Sequence, residues 1–213
     1  MTIFARSGFR GLLRLRGATA LFLILASALW VTPARSHPHV WISARVNLVF
    51  AEKTLTAMEV TWTFDDLYST LIREDFDKNG DGKLDSSELA EIVRNQLEEN
   101  LGDYSYFTHL EIGGERRRVT EVEDFQARFN DELLSFTFRV PMLDKIDPNR
   151  LEFAFGLYDE EYYIEFSLDR DDPIRLSGDA PAGCKPVVGY DMNNPIYFGA
   201  VNPMRVTLNC HVG

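Results

Sequence analysis

The chain of 213 residues contains only two cysteines, Cys184 and Cys210, both close to its end. Two thiols fall short of a closed zinc set even with His211 added, so in an oxidising compartment their expected use is one disulfide. Basic residues are also few, 22 lysines and arginines against 33 aspartates and glutamates, and that balance argues against a nucleic-acid partner. No GxSxG elbow, no HExxH helix and no cysteine–histidine pair free of the expected disulfide is present. No catalytic residue is therefore assigned, and the protein is expected not to be an enzyme.

Long apolar runs are missing as well, with one exception. Ala18 to Val31 is apolar, follows Arg6, Arg10, Arg14 and Arg16, and leads to Ala34-Arg35-Ser36. Fourteen apolar residues are too few to span a bilayer comfortably, whereas a basic start, an apolar middle and small residues at the end make a secretory signal peptide, residues 1–36, cut after Ser36. The mature chain, residues 37–213, then carries 17 basic and 33 acidic side chains and no membrane span.

What is present is sharpest between Asp77 and Glu88, where DKNGDGKLDSSE places oxygen donors at the positions required by a calcium loop of the EF-hand type. Asp77, Asn79 and Asp81 stand at positions 1, 3 and 5, Lys83 offers its carbonyl at 7, Asp85 acts through water at 9, and Glu88 closes as a bidentate ligand at 12. Gly82 occupies position 6, where the chain turns sharply with positive φ. Calcium is a hard cation that takes six to eight oxygens, so this donor set suits it and not zinc. Leu67, Leu71, Ile72 and Phe76 before the loop, and Leu89, Ile92, Val93 and Leu97 after it, recur at helical spacing. Asp85-Ser86-Ser87-Glu88 reads as a capping box opening the second helix. No second loop of this kind follows, because the stretch from Asp169 to Ile174 has proline and isoleucine where oxygen and glycine are needed. A solitary loop points to weak affinity, about 10⁻⁴ to 10⁻³ M.

Elsewhere the patterning is that of strands. Val40, Ile42, Ala44, Val46 and Leu48 alternate with polar partners, a second strand covers Thr54 to Phe64, and further strands are expected near Tyr104–Ile112, Arg117–Phe129, Leu133–Val140, Leu151–Tyr158, Tyr162–Leu168 and Met204–Cys210. The predicted fold class is α+β: an antiparallel sheet or sandwich with a single EF-hand helix–loop–helix inserted at 65–99.

Cleavage after Ser36 would start the mature chain at His37-Pro38-His39, bringing an α-amine and two imidazoles together. His37 and His39 are the candidate ligands for a transition metal, nickel, cobalt, zinc or copper. Pro38 lacks the amide nitrogen that a full square-planar site would use, which leaves a brace of amine and two rings. Asp65, Asp66 and Asp159 could add ligands, although Asp65 also fits the N-cap of a helix and Asp159 a turn.

The signal followed by His37-Pro38-His39-Val40-Trp41, then Trp62-Thr63-Phe64-Asp65-Asp66, Tyr106-Phe107, and Tyr158 to Tyr163, resembles a bacterial periplasmic family, domain of unknown function one thousand and seven. The family is described as the periplasmic component of an ABC-type transport system. That resemblance implies a periplasmic protein in the company of nickel, cobalt or zinc transporters, with an inner-membrane metal transporter as its expected partner. Asp159-Glu160-Glu161 departs from the family's usual Asp-Pro-Thr. The expected function is a periplasmic calcium-binding accessory of transition-metal transport; the alternatives are a calcium-stabilised interaction module and a copper-dependent oxidase built on the amino-terminal brace.

Overall fold

The computed structural model describes residues 39–98 and 101–210, so His37, His211 and the expected signal peptide lie outside the described residues. Eleven strands run through it in chain order: β1 Val40–Ala51, β2 Thr54–Phe64, β3 Thr108–Ile112, β4 Glu115–Arg118, β5 Glu123–Asn130, β6 Leu133–Ile146, β7 Phe153–Leu157, β8 Ile164–Leu168, β9 Ile174–Gly178, β10 Lys185–Tyr190 and β11 Met204–Asn209. Two helices, α1 Asp66–Phe76 and α2 Ser86–Glu98, stand between β2 and β3.

The first sheet has the order β5-β6-β2-β1-β8, with β9 also on β1, and the second has β10-β11-β7-β3-β4. Alternation along β1 and β6 buries every second residue, and the buried sets of both sheets join in one core. Trp62, 1% exposed, lies near its centre with the rings of Phe138 at 4.8 Å, Phe166 at 5.5 Å and Phe107 at 6.1 Å.

The expected α+β class is overturned. Strand takes 49% and helix 15% of the described residues, so the molecule is mostly β, two sheets with two short helices beside one of them. Two of the strands were hidden in segments rich in turn-forming residues. The stretch from Asp169 to Pro173 separates β8 from β9, and β10 lies in the proline- and glycine-rich tail. The first sheet is also mixed rather than antiparallel: β8 pairs parallel with Val40–Ala44 and β9 parallel with Val46–Phe50 of the same strand. Gly178 closes that pairing with φ +73°, and a Cβ there would stand 2.0 Å from the Phe50 carbonyl oxygen.

The single strand expected over Arg117–Phe129 is two, β4 in the second sheet and β5 in the first, with buried Val119 between them. The β5–β6 turn uses Asp131 and Glu132, both at positive φ. Cys184 and Cys210 form a disulfide next to the Lys185–Asn209 pair, so the bond staples the β10–β11 hairpin at its open end. Among the described residues no helix is long and apolar enough to cross a membrane.

Candidate metal centre

Asp65 starts the helical pair. Its carboxylate accepts from the amides of Tyr68 (2.9 Å) and Trp41 (2.8 Å), which caps α1 and ties it to the start of β1. The face that α1 turns to the sheet is Tyr68, Ser69, Ile72 and Phe76; the expected Leu67 and Leu71 are instead 60% and 50% exposed. Tyr68 stacks on Phe64 at 4.7 Å, and Ser69 is fully buried, its Oγ accepting the Leu134 amide of β6 at 2.9 Å. Arg73 lies over the Phe129 ring of β5 at 5.9 Å, and Ile92 of α2 is fully buried in the core. The helices are thus fastened to the β5–β6 hairpin.

Between them the loop is wound by its own side chains. Asp77 Oδ1 accepts from the amides of Gly80 (2.8 Å) and Asp81 (3.1 Å), and its Oδ2 from that of Gly82 (2.7 Å). Asn79 accepts from the Asp81 amide and Asp81 from the Lys83 amide, at 2.8 and 2.9 Å. Gly80 and Gly82 have φ +72° and +79°, so position 6 does take the left-handed turn its glycine implied.

Asp85 and Glu88 form the expected reciprocal cap. Asp85 Oδ1 accepts from the Ser87 and Glu88 amides, while Glu88 Oε2 accepts from the Asp85 amide at 2.8 Å. Hydrogen bonds from Ser87 and the Glu88 amide hold the Asp85 carboxyl below its ordinary value. Glu88 Oε1 accepts from the Lys78 amide at 2.9 Å, so one carboxylate joins the last turn of the loop to its first. Glu88 is 4% exposed and makes no ion pair among the described residues, whereas Lys78 pairs with Glu91.

The donor set fits a hard cation: four carboxylates, an amide oxygen and the Lys83 carbonyl, with no nitrogen or sulfur among them. An ionised carboxylate has about four acceptor positions. The amides fill one on each oxygen of Glu88, so lone pairs remain. The ligand sphere is nevertheless not assembled. Among the described residues no three His, Cys, Asp or Glu side chains converge as a metal site would require, and the loop oxygens face their own amides. A bound EF-hand geometry is not what the structure presents.

The other candidate ligands are dispersed. His39 is exposed, its ring 4.8 Å from that of Tyr163 and its amide donating to the Tyr163 carbonyl. Asp65 is occupied as a cap, Asp66 is exposed in the first turn of α1, and Asp159 is 5% exposed with the amides of Glu161, Tyr163 and Ile164 donating to it. His109 lies half-buried on β3. It stacks flat on Tyr158 at 3.7 Å and 3° over Gly156, its cross-strand partner, an arrangement that only the register of β3 on β7 creates.

Comparison with known proteins gives two findings. A family profile described as "Protein of unknown function (DUF1007)" matches residues 22–195. An uncharacterised 15.5 kDa protein in the trpE 3′ region of Spirochaeta aurantia is 31% identical over 102 residues, which cover 48% of this chain and 71% of that protein.

Proposed function

The chain belongs to the DUF1007 family, and we propose that it is an exported, non-enzymatic binding protein whose loop from Asp77 to Glu88 takes calcium. One observation carries the reading. Glu88 is a buried carboxylate with no cationic partner among the described residues, set at the end of a loop whose other side-chain oxygens are held by the loop's own amides. Burying a charge is costly unless it is paired or coordinates a metal, and a calcium ion would supply that partner. Binding would need the loop oxygens to exchange backbone amides for the ion, a local rearrangement consistent with weak affinity. The disulfide is compatible with a periplasmic location, as a cleaved signal peptide would require.

The test is thermal unfolding with calcium added and then chelated. At about tenfold over the dissociation constant the ion should contribute about 1.4 kcal/mol, which raises the melting temperature of a chain this size by about 3 °C. Asp77→Ala and Glu88→Gln should remove that response. An unchanged melting temperature in the parent protein would end the proposal.

A second reading, delivery of a transition metal to an inner-membrane transporter, rests on His39. Its ring is exposed where β1 begins, two residues from His37. Metal analysis of exported protein beside a His37→Ala/His39→Ala variant decides it. Nickel, cobalt, zinc or copper near one equivalent, lost in the variant, supports delivery; equal metal content in both rejects it.

A further inference from the structure

The outer face of the second sheet holds a cleft unrelated to the calcium loop. Its volume is about 400 Å³, within the range of small-ligand sites, and β4 forms one wall while the segment after β7 forms the other. Register puts Arg116 opposite Glu111 and Arg118 opposite His109, so these side chains share the outer face. Three features mark the cleft as built.

First, the His109–Tyr158 stack depends on Gly156, since a Cβ there would meet the Met204 carbonyl at 2.8 Å and the Tyr158 ring at 2.9 Å. His109 Nε2 donates to the Tyr158 carbonyl oxygen at 3.0 Å, and burial holds the imidazole neutral to lower pH than usual. Second, Ser105, Tyr106 and Phe107, beside the cleft, all have positive φ, at 54°, 50° and 45°. One left-handed turn of non-glycine residues costs about 1–2 kcal/mol per residue, and strain of this kind clusters at functional sites. Third, buried Asp159 spends its carboxylate on three amides and so fixes the wall that bears Glu160.

The charges of the cleft are unequal in their engagements. Arg117 pairs with Glu115, and Arg118 is held by Ser105 and the Asp103 carbonyl. Arg116 and Glu160 have no ion pair and no side-chain hydrogen bond among the described residues, yet both line this cleft and a neighbouring hollow of about 400 Å³. Burial pushes the Tyr158 phenol above its ordinary value, with the Arg116 charge opposing and the Glu160 charge adding to the shift. An unpaired guanidinium and an unpaired carboxylate therefore border the same space as Tyr158 without closing on each other.

We propose that this cleft binds a free α-amino acid as its zwitterion, with the ligand carboxylate on the Arg116 guanidinium and its ammonium on Glu160. A guanidinium forks onto a carboxylate through two parallel N–H donors, and Tyr158 supplies a further donor. Neither a simple anion nor a simple cation would satisfy both walls.

Calorimetric titration of the purified protein with each of the twenty L-amino acids at millimolar concentration tests this, followed by the N-acetyl and carboxamide derivatives of any that bind. At least one amino acid should bind, and blocking either of its charged ends should weaken binding about tenfold or more, as expected for hydrogen bonds to charged groups. Arg116→Gln and Glu160→Gln should each cause a loss of the same order without lowering the melting temperature, since both side chains are exposed. No heat from any of the twenty, equal binding of a blocked derivative, or full binding by both variants overturns the proposal. None of these outcomes depends on calcium.

Discussion

His109 shows how a single side chain can set a pH response. Desolvation outweighs the Tyr158 carbonyl and the nearby Glu160 and Asp159 charges, so the folded-state value lies below the ordinary 6.5. Below 6.5 the unfolded chain binds a proton that the folded chain still refuses, and stability falls as pH drops from there toward the folded value. His109→Gln should flatten that part of a melting-temperature profile; an unchanged slope would mean another group is responsible. Glycines make a second residue-scale contrast. Gly82→Ala meets nothing within 4 Å and should cost about 1 kcal/mol of backbone strain. Gly178→Ala drives a methyl into the Phe50 carbonyl and should cost about 3 kcal/mol, read by chemical denaturation. Position 82 was legible because a loop's local chemistry demands glycine there. Positions 156 and 178 were not, because the backbone carbonyls that crowd them, of Met204 and Phe50, belong to other strands.

At the scale of elements, what could be read in advance follows how local each signal is. The β1–β2 hairpin, both helices and the reciprocal Asp85–Glu88 cap depend on neighbours in sequence, and all were visible there. The face that α1 buries was misread because Leu67 and Leu71 are more apolar than Tyr68 and Ser69, while the Asp65 cap and the Tyr68–Phe64 stack fix its rotation. Ser69→Ala tests that orientation: the Leu134 amide would lose its buried acceptor, at a cost of about 1–2 kcal/mol. A change below a few tenths would mean that water replaces the hydroxyl. β10 escaped notice because proline and glycine interrupt its pattern, and it is paired only to β11 and stapled by the disulfide. Reduction should lower stability by about 3 kcal/mol, visible as a shifted denaturation midpoint, if the bond acts by restricting the unfolded chain.

The whole molecule is a two-layer β structure in which the candidate calcium loop and the outer-face cleft sit on different sheets. The class was misjudged because two helices with clear caps stand out in a sequence, whereas the joining of distant strands does not. β1 pairs with β8 and β9, more than a hundred residues away, and no local pattern encodes a parallel pairing at that separation. The arrangement makes any calcium effect directional. α1 reaches β6 through Ser69, α2 buries Ile92, and Arg73 covers Phe129 of β5, so tightening the loop should first restrain the β5–β6 hairpin. Hydrogen exchange with and without calcium should therefore show added protection in residues 66–98 and around Asn130–Leu133. β7 and β11, reached only through the shared core, should keep their rates under conditions where exchange proceeds by local opening. Uniform protection across both sheets would place the ion's effect on global unfolding alone, and no change near the loop would show that calcium does not act there.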